Sequence, residues 1–183
     1  MSEVPFTPRL LAEWPGAALP EETGDSYAAN ALIKARAAAR LTGALALGDD
    51  SGLEVDALGG APGLRSARFG GPGLDDADRC RLLLAALHGV DEARRTARFR
   101  TVIALATPGG GERLVEGTAE GLILTAPRGR GGFGYDPVFY YPPLRRTFAE
   151  LSDAEKARVS ARGLAVQAVR RLLIECDTRR ADA

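Results

Sequence analysis

Residues 49–71 read DDSGLEVDALGGAPGLRSARFGG, two adjacent carboxylates followed by Ser-Gly and a glycine-rich stretch. It follows the apolar run ALALG (44–48), which reads as a short buried strand ending at Asp49-Asp50. An aspartate at the carboxyl end of a strand sits where α/β sheets bind ligands. Neighbouring strand residues point to opposite faces, so the two carboxylates divide their work. One can face a cleft and hold a metal or a water while the other braces the turn through backbone N–H groups. Taken alone, DDSG also fits an Asx turn beside a solvated carboxylate. GLEVDAL follows as a second extended piece. Residues 59–73 then hold six of the 22 glycines and two prolines, the composition of a shaped loop.

Outward from there the chain alternates. EETGDSYAANALIKARAAARLTG (21–43) predicts a turn and an Ala-rich helix, with Ser26 as N-cap and Gly43 as stop. DDADRCRLLLAALHG (75–89) predicts an amphipathic helix. TARFRTVIALAT and RLVEGTAEGLIL flank TPGGGE, which predicts a β-hairpin over about 96–125 with a Gly-rich tip, a candidate small lobe. APRGRGGFGYDPVFYYPP (126–143) is a Gly, aromatic and Pro loop. SDAEKARVSARG opens on a Ser152–Glu155 capping box, and GLAVQAVRRLLIEC continues as a C-terminal helix before a polar tail. The order helix, strand, strand, helix, hairpin, loop, helix predicts an α/β or α+β class with a mixed sheet, in one domain over residues 1–183.

Composition narrows the chemistry. Lys plus Arg and Asp plus Glu are both 24, which leaves no electrostatic footprint for nucleic acid or an anionic membrane. No apolar stretch approaches a membrane span, and MSEVPFTPRLLAEWPG is no signal peptide. The two cysteines, Cys80 and Cys176, lack metal spacing, so a reduced cytoplasm is the expected setting. The single histidine, His88, reads as a helix-end or surface residue. Hydrolytic chemistry is therefore expected from carboxylates and a hard, oxygen-liganded metal such as Mg²⁺. Only two of the 24 basic residues are lysines, Lys34 and Lys156. An ammonium kept in so arginine-rich a chain suits a phosphate site, where a compact point charge is wanted.

Two further stretches carry chemistry. In GRGGFGYDP (129–137) the glycines let backbone approach a ligand, Phe133 and Tyr135 offer faces for stacking, and Asp136 can accept from a ring N–H or an amine. In EKARVSAR (155–162), Lys156 and Arg162 are six apart and cannot share a face of one uninterrupted helix; a break near Ser160 would let both reach an anion.

In this order, GDDSGLEVDALGGAPGLRSARFGG, GRGGFGYDPVFYYPP with TFAEL, EK and SARG, and EETGDSYAANALIKARAAA resemble the blocks of the inosine/xanthosine triphosphate pyrophosphatases, in register from about residue 20 to about 175. The resemblance implies an α/β fold with a mixed twisted sheet flanked by helices, two lobes and a central cleft, and usually a homodimer. It implies Mg²⁺-dependent cleavage of dITP, ITP or XTP to the monophosphate and pyrophosphate. By matching position, Asp50 would be general base and metal ligand and Glu22 a second metal ligand. Ser51 would touch substrate, and Lys34 and Lys156 would bind the triphosphate. Phe133, Gly134, Tyr135 and Asp136 would form the base-side loop, Arg162 would contact the purine, and Ala161 would stand at the family's histidine in that contact region.

The chain also departs from the family. No T/S-x-N-x-x-K phosphate loop and no strand before it stand ahead of residue 20; the expectation is that Met1 is a misassigned start. Ala161 replaces the histidine of S-H-R, and Ala29 replaces the glutamate of E-N-A, with Asp25 a candidate substitute for that carboxylate. These departures define the alternative: a catalytically impaired nucleotide-binding relative acting as sensor or partner subunit. A septum-associated nucleotide pyrophosphatase is a rival enzyme that would not be expected to carry FGYDP.

Overall fold

The computed structural model describes residues 6–181, with side chains described through residue 176; the reading of Met1 lies outside them. The elements are α1 (Tyr27–Thr42), β1 (Ala46–Val55), β2 (Pro62–Gly63), α2 (Asp76–Ala86), β3 (Thr96–Ala106), β4 (Glu112–Ile123), β5 (Phe139–Tyr141), β6 (Arg146–Thr147), α3 (Asp153–Val159) and α4 (Ala161–Ala181). The six strands form one open sheet in the order β2-β1-β3-β4-β5-β6. The pairs β1–β2, β4–β5 and β5–β6 are antiparallel, with registers such as Leu53 opposite Gly63 and Leu122 opposite Tyr140.

The chain divides into two compact units. The first comprises Met1–Asp50, Thr101–Gly117 and Leu164–Ala183, and the second comprises Ser51–Arg100 and Thr118–Gly163. The expected hairpin forms as β3 and β4, and its residues are shared between both units.

In the first unit α1 begins where Ser26 accepts from the Ala29 N–H at 3.2 Å. It ends where Gly43, at φ +63°, turns left-handed and donates to the Ala39 carbonyl. Its buried residues Ala31, Ala35, Ala38 and Ala39 recur at helical spacing and pack with Ala46, Val102, Ala104 and Ala106. Ile103 and Leu105 pack with Ala165 and Val169 of α4. The run Val102–Ala106 is therefore covered on both faces, which is why it is continuously apolar rather than alternating.

In the second unit the strands do alternate. Leu53, Val55, Ala97, Ala119 and Ile123 meet Cys80 and Leu83 of α2, Leu87 just past it, and the aromatics Phe139 and Phe148 in one core. Phe139 lies 4.7 Å from Phe99 and 4.8 Å from Phe148, ring centroid to centroid. Between these positions the strands are charged: Arg98 pairs with Asp56 at 2.9 Å, Glu120 at 3.3 Å and Glu54 at 3.5 Å.

One expectation is corrected here. The strand does not end at Asp49-Asp50; β1 runs unbroken through DDSG to Val55. The turn reading failed because Ser-Gly is compatible with extended backbone, and Gly52 and Leu53 continue the strand as buried residues. Asp49 consequently has no turn to brace. The glycine-rich stretch does form a shaped loop, and all six of its glycines adopt positive φ, a region that favours glycine.

Candidate functional site

In the first unit the site grows from the contact of α1 with β1. Gly48 makes that contact possible, because a Cβ there would lie 2.5 Å from the Ala35 nitrogen and 2.6 Å from the Ala31 carbonyl oxygen. Such close backbone approach brings Asp50 beside the helix. Asn30 Nδ2 donates to Asp50 Oδ2 at 2.9 Å. One turn later Lys34 Nζ stands 3.8 Å from Asp50 Oδ1 and donates to Glu22 Oε1 at 2.9 Å. One ammonium therefore joins the two carboxylates expected at the metal. The Asp50 side chain keeps 13% of its surface exposed, so its oxygens are braced yet reachable. Ser51, the next residue on β1, is half-buried at the start of the second unit.

Among the described residues no group of three His, Cys, Asp or Glu side chains is arranged to hold a metal. Mg²⁺ keeps several waters and is commonly bound by one or two carboxylates together with substrate phosphates. Glu22 and Asp50, which share the Lys34 ammonium, offer hard oxygen donors of the kind it takes.

In the second unit the expected base-side loop is held from several elements. Gly134, left-handed at φ +58°, donates its N–H to Asp76 Oδ2 at 2.6 Å and receives the Cys80 thiol on its carbonyl at 3.4 Å. Burial pushes that thiol up to about 11, so it serves as a buried packing group rather than a nucleophile. Phe133 is left 63% exposed. Lys156 Nζ lies 4.1 Å from its ring centroid, and Arg162 Cζ lies 5.9 Å away. The predicted break is what allows both cations to converge. Ser160 is extended at φ −71°, ψ 153°, ending α3, and its Oγ accepts from the Gly163 N–H at the start of α4.

Three further residues of the expected base-side group are buried. Tyr135 is buried, and its hydroxyl donates to the Ser66 carbonyl at 2.9 Å, so it offers no face for stacking. Burial raises the pKa of that hydroxyl. Asp136 is 2% exposed, and its Oδ2 accepts from the Phe133 N–H at 2.8 Å and from Lys156 Nζ. Both contacts lie within the loop and its neighbouring helix. Burial is the main influence on its carboxyl and pushes it up, opposed by the Lys156 ammonium and the Phe133 N–H. Ala161 is buried in the core with Leu151 nearby in the same cluster, and its methyl group has no polar atom to offer.

The sequence reading missed Asn30. Its one local signal was a polar residue of poor helix propensity inside an Ala-rich helix; its partner stands 20 residues away. Of the two lysines expected at the triphosphate, Lys34 stands beside Asp50 and Lys156 beside the Phe133 ring. His88 is exposed just past α2, as expected.

Known proteins are similar to this chain in sequence and fold. A protein of Desulforamulus reducens named dITP/XTP pyrophosphatase is 52% identical over 163 residues, 89% of this chain and 81% of the relative. A Gloeobacter violaceus protein of the same name is 56% identical over 156 residues, 85% of this chain and 76% of the relative. The structure of a HAM1 protein from Coxiella burnetii superposes with a TM-score of 0.82 at 45% identity, covering 86% of this chain and 81% of that one. The Ham1 family model itself matches residues 3–172, and the chain belongs to the Ham1 family.

Proposed function

We infer that this chain hydrolyses non-standard purine nucleoside triphosphates (dITP, ITP and XTP) to the monophosphate and pyrophosphate, removing them from the nucleotide pool. The observation that carries this reading is Asp50, braced by Asn30 and by a lysine shared with Glu22, in a chain 52% and 56% identical to proteins named dITP/XTP pyrophosphatase.

In this reading the Asp50 carboxylate accepts a proton from the attacking water. The water oxygen bonds to the α-phosphorus, the bond from that phosphorus to the α–β bridging oxygen breaks, and its electron pair leaves with pyrophosphate. Lys34 turns from Glu22 to the phosphate oxygens, where an ammonium stabilises charge that spreads in the transition state. Glu22 and Asp50 would hold Mg²⁺, which would supply charge neutralisation at the phosphates. Ser51, beside Asp50, contacts the substrate.

The exposed Phe133 ring stacks on the purine, with Gly134 giving backbone access. Lys156 and Arg162 are assigned to the base side because both stand at that ring. As donors they favour a 6-oxo group and leave the 6-amine of adenine without an acceptor. A homodimer working in the cytoplasm completes the proposal.

The test is pyrophosphate release from dITP, XTP, dGTP and dATP with Mg²⁺. Rapid release from dITP and XTP and slow release from dATP is the expected result. Tight binding of dITP with no release would replace the enzyme by a nucleotide-binding protein.

A further inference from the structure

We propose that Asn30 is a positioning residue that fixes the Asp50 carboxylate and locks it to the segment carrying Glu22; the proposal rests on the pyrophosphatase reading above. Asn30 lies in the first turn and a half of α1 and is 1% exposed. A buried amide is tolerated only when both its ends are satisfied, and here both are. Nδ2 donates to Asp50 Oδ2 at 2.9 Å, and Oδ1 accepts from the Gly24 N–H at 2.8 Å. These partners also fix the orientation of the amide, since a carboxylate can only accept there and a backbone N–H can only donate.

Gly24 is part of the device. A Cβ at that position would lie 2.7 Å from Asn30 Oδ1 and 2.7 Å from Ala29 Cβ. Only a residue without a side chain lets this backbone reach the amide. Glu22 stands two residues earlier, so the Gly24 bond ties its segment to the helix that holds Asp50.

Asn30 and Lys34 are four apart, on one face of α1. Between them they address both Asp50 oxygens, Oδ2 from Asn30 and Oδ1 from Lys34. Their roles differ in kind. Lys34 is a charged, flexible side chain that an incoming phosphate can draw away. Asn30 is neutral, buried and held at both ends, so its grip on Asp50 persists when Lys34 moves. Asn30 thus keeps the carboxylate aimed at the attacking water through the reaction, without touching substrate itself.

The experiment compares wild type with Asn30→Ala and Asn30→Ser. The serine hydroxyl is one bond too short for Asp50 and keeps a polar atom in the site should the alanine variant fail to fold. Steady-state pyrophosphate release from dITP with saturating Mg²⁺, affinity for a non-hydrolysable dITP analogue, and melting temperature are measured for each. The expected result is a kcat lower on the order of 100-fold, the cost of a misaimed reacting group, with KM and analogue affinity unchanged. A folded variant with a lowered melting temperature and wild-type kcat would reduce Asn30 to a structural role and overturn the proposal. A raised KM with kcat retained would overturn it as well. A wild-type protein that releases no pyrophosphate overturns the pyrophosphatase reading and this inference together; active wild type with unaffected variants overturns this inference alone.

Discussion

Asp50 in the first unit and Asp136 in the second each lie near a lysine and take a hydrogen bond from another donor, yet their surroundings differ. Asp50 retains 13% exposure on its side chain, while that of Asp136 retains 3%. Asp50 takes a hydrogen bond from a neutral amide at 2.9 Å, with a lysine 3.8 Å from its other oxygen. Asp136 has its lysine in direct contact and takes the Phe133 N–H on the same oxygen. A carboxylate that is to meet a ligand must stay reachable. A carboxylate meant for architecture can spend its lone pairs on its own loop. The difference teaches that a strongly paired buried acid in a site loop is there to aim its neighbours, here the exposed Phe133 ring and the Lys156 ammonium.

The most direct way to break the comparison is Asp50→Asn. An amide can still present its oxygen to Asn30 Nδ2, so folding and nucleotide binding are expected to survive. Turnover is expected to fall by about 10²–10⁴-fold, the usual worth of a positioned proton acceptor. Retention of near-full activity would show that Asp50 is no more a reacting group than Asp136.

Lys156→Met comes next and acts on the opposite quantity. It leaves Asp136 buried with only a backbone donor, and breaking a buried pair from one side typically costs about 3–5 kcal/mol. The loss carries a pH signature. Burial already holds the Asp136 carboxyl above its ordinary value of 3.8, and removing the ammonium takes away an influence that lowers it. A raised native-state value means the folded protein holds the proton more firmly than the unfolded chain, so stability declines as pH rises through that window. The variant is therefore expected to lose most near neutral pH and least near the ordinary value, where Asp136 is protonated. Asp136→Asn combined with Lys156→Met should lose less than Lys156→Met alone, because no buried charge is left unpaired. Denaturant titration at several pH values checks both statements, and a pH-independent loss would mean the pair does not carry the effect.

Gly48→Ala tests the first unit without altering any carboxylate. The added methyl meets α1 backbone at 2.5 and 2.6 Å, so β1 or α1 must shift. Overpacking of this kind costs about 1–3 kcal/mol, and the shift should also lower kcat by moving Asp50 relative to Asn30. A stable variant with unchanged kcat would show that the close approach is not what aims Asp50.

Much of this architecture could be read from local signals. The Ser26 cap and Gly43 stop of α1, the Ser152–Glu155 box of α3, the hairpin with its TPGGGE tip and the break at Ser160 each depend on residues within a few positions of one another. What escaped depends on distant partners or on too few residues to show a period. β2 and β6 are two residues long and β5 three. The bond between Asn30 and Asp50 spans 20 residues, and the burial of Tyr135 and Asp136 depends on Ser66 and Lys156. An aromatic or an acid in a glycine-rich loop looks the same in sequence whether it faces a ligand or the core.

The smallest expected effect sharpens the comparison at the helix that carries Lys156. Glu155 closes the α3 capping box, accepting the Ser152 N–H at 2.9 Å, and receives Arg146 at 2.6 Å. The Arg146 guanidinium first, then the Ser152 N–H and hydroxyl, hold its carboxyl down to about 2 from an ordinary 4.5. A lowered native value means the unfolded chain takes up the proton more readily, so the contribution is present above 4.5 and is lost as pH falls toward about 2. Glu155→Gln keeps the shape of the box and removes the charge. Its melting temperature should lie slightly below that of wild type at neutral pH and converge with it at the acid end of that window. A gap that persists into acid would assign the effect to hydrogen-bond geometry instead of charge. Convergence would show that Lys156 rides on a helix whose start is held by an exposed ion pair, while its ammonium is held by a buried one, so acid should weaken the helix start by protonating Glu155 even as protonation of Asp136 favours the folded loop.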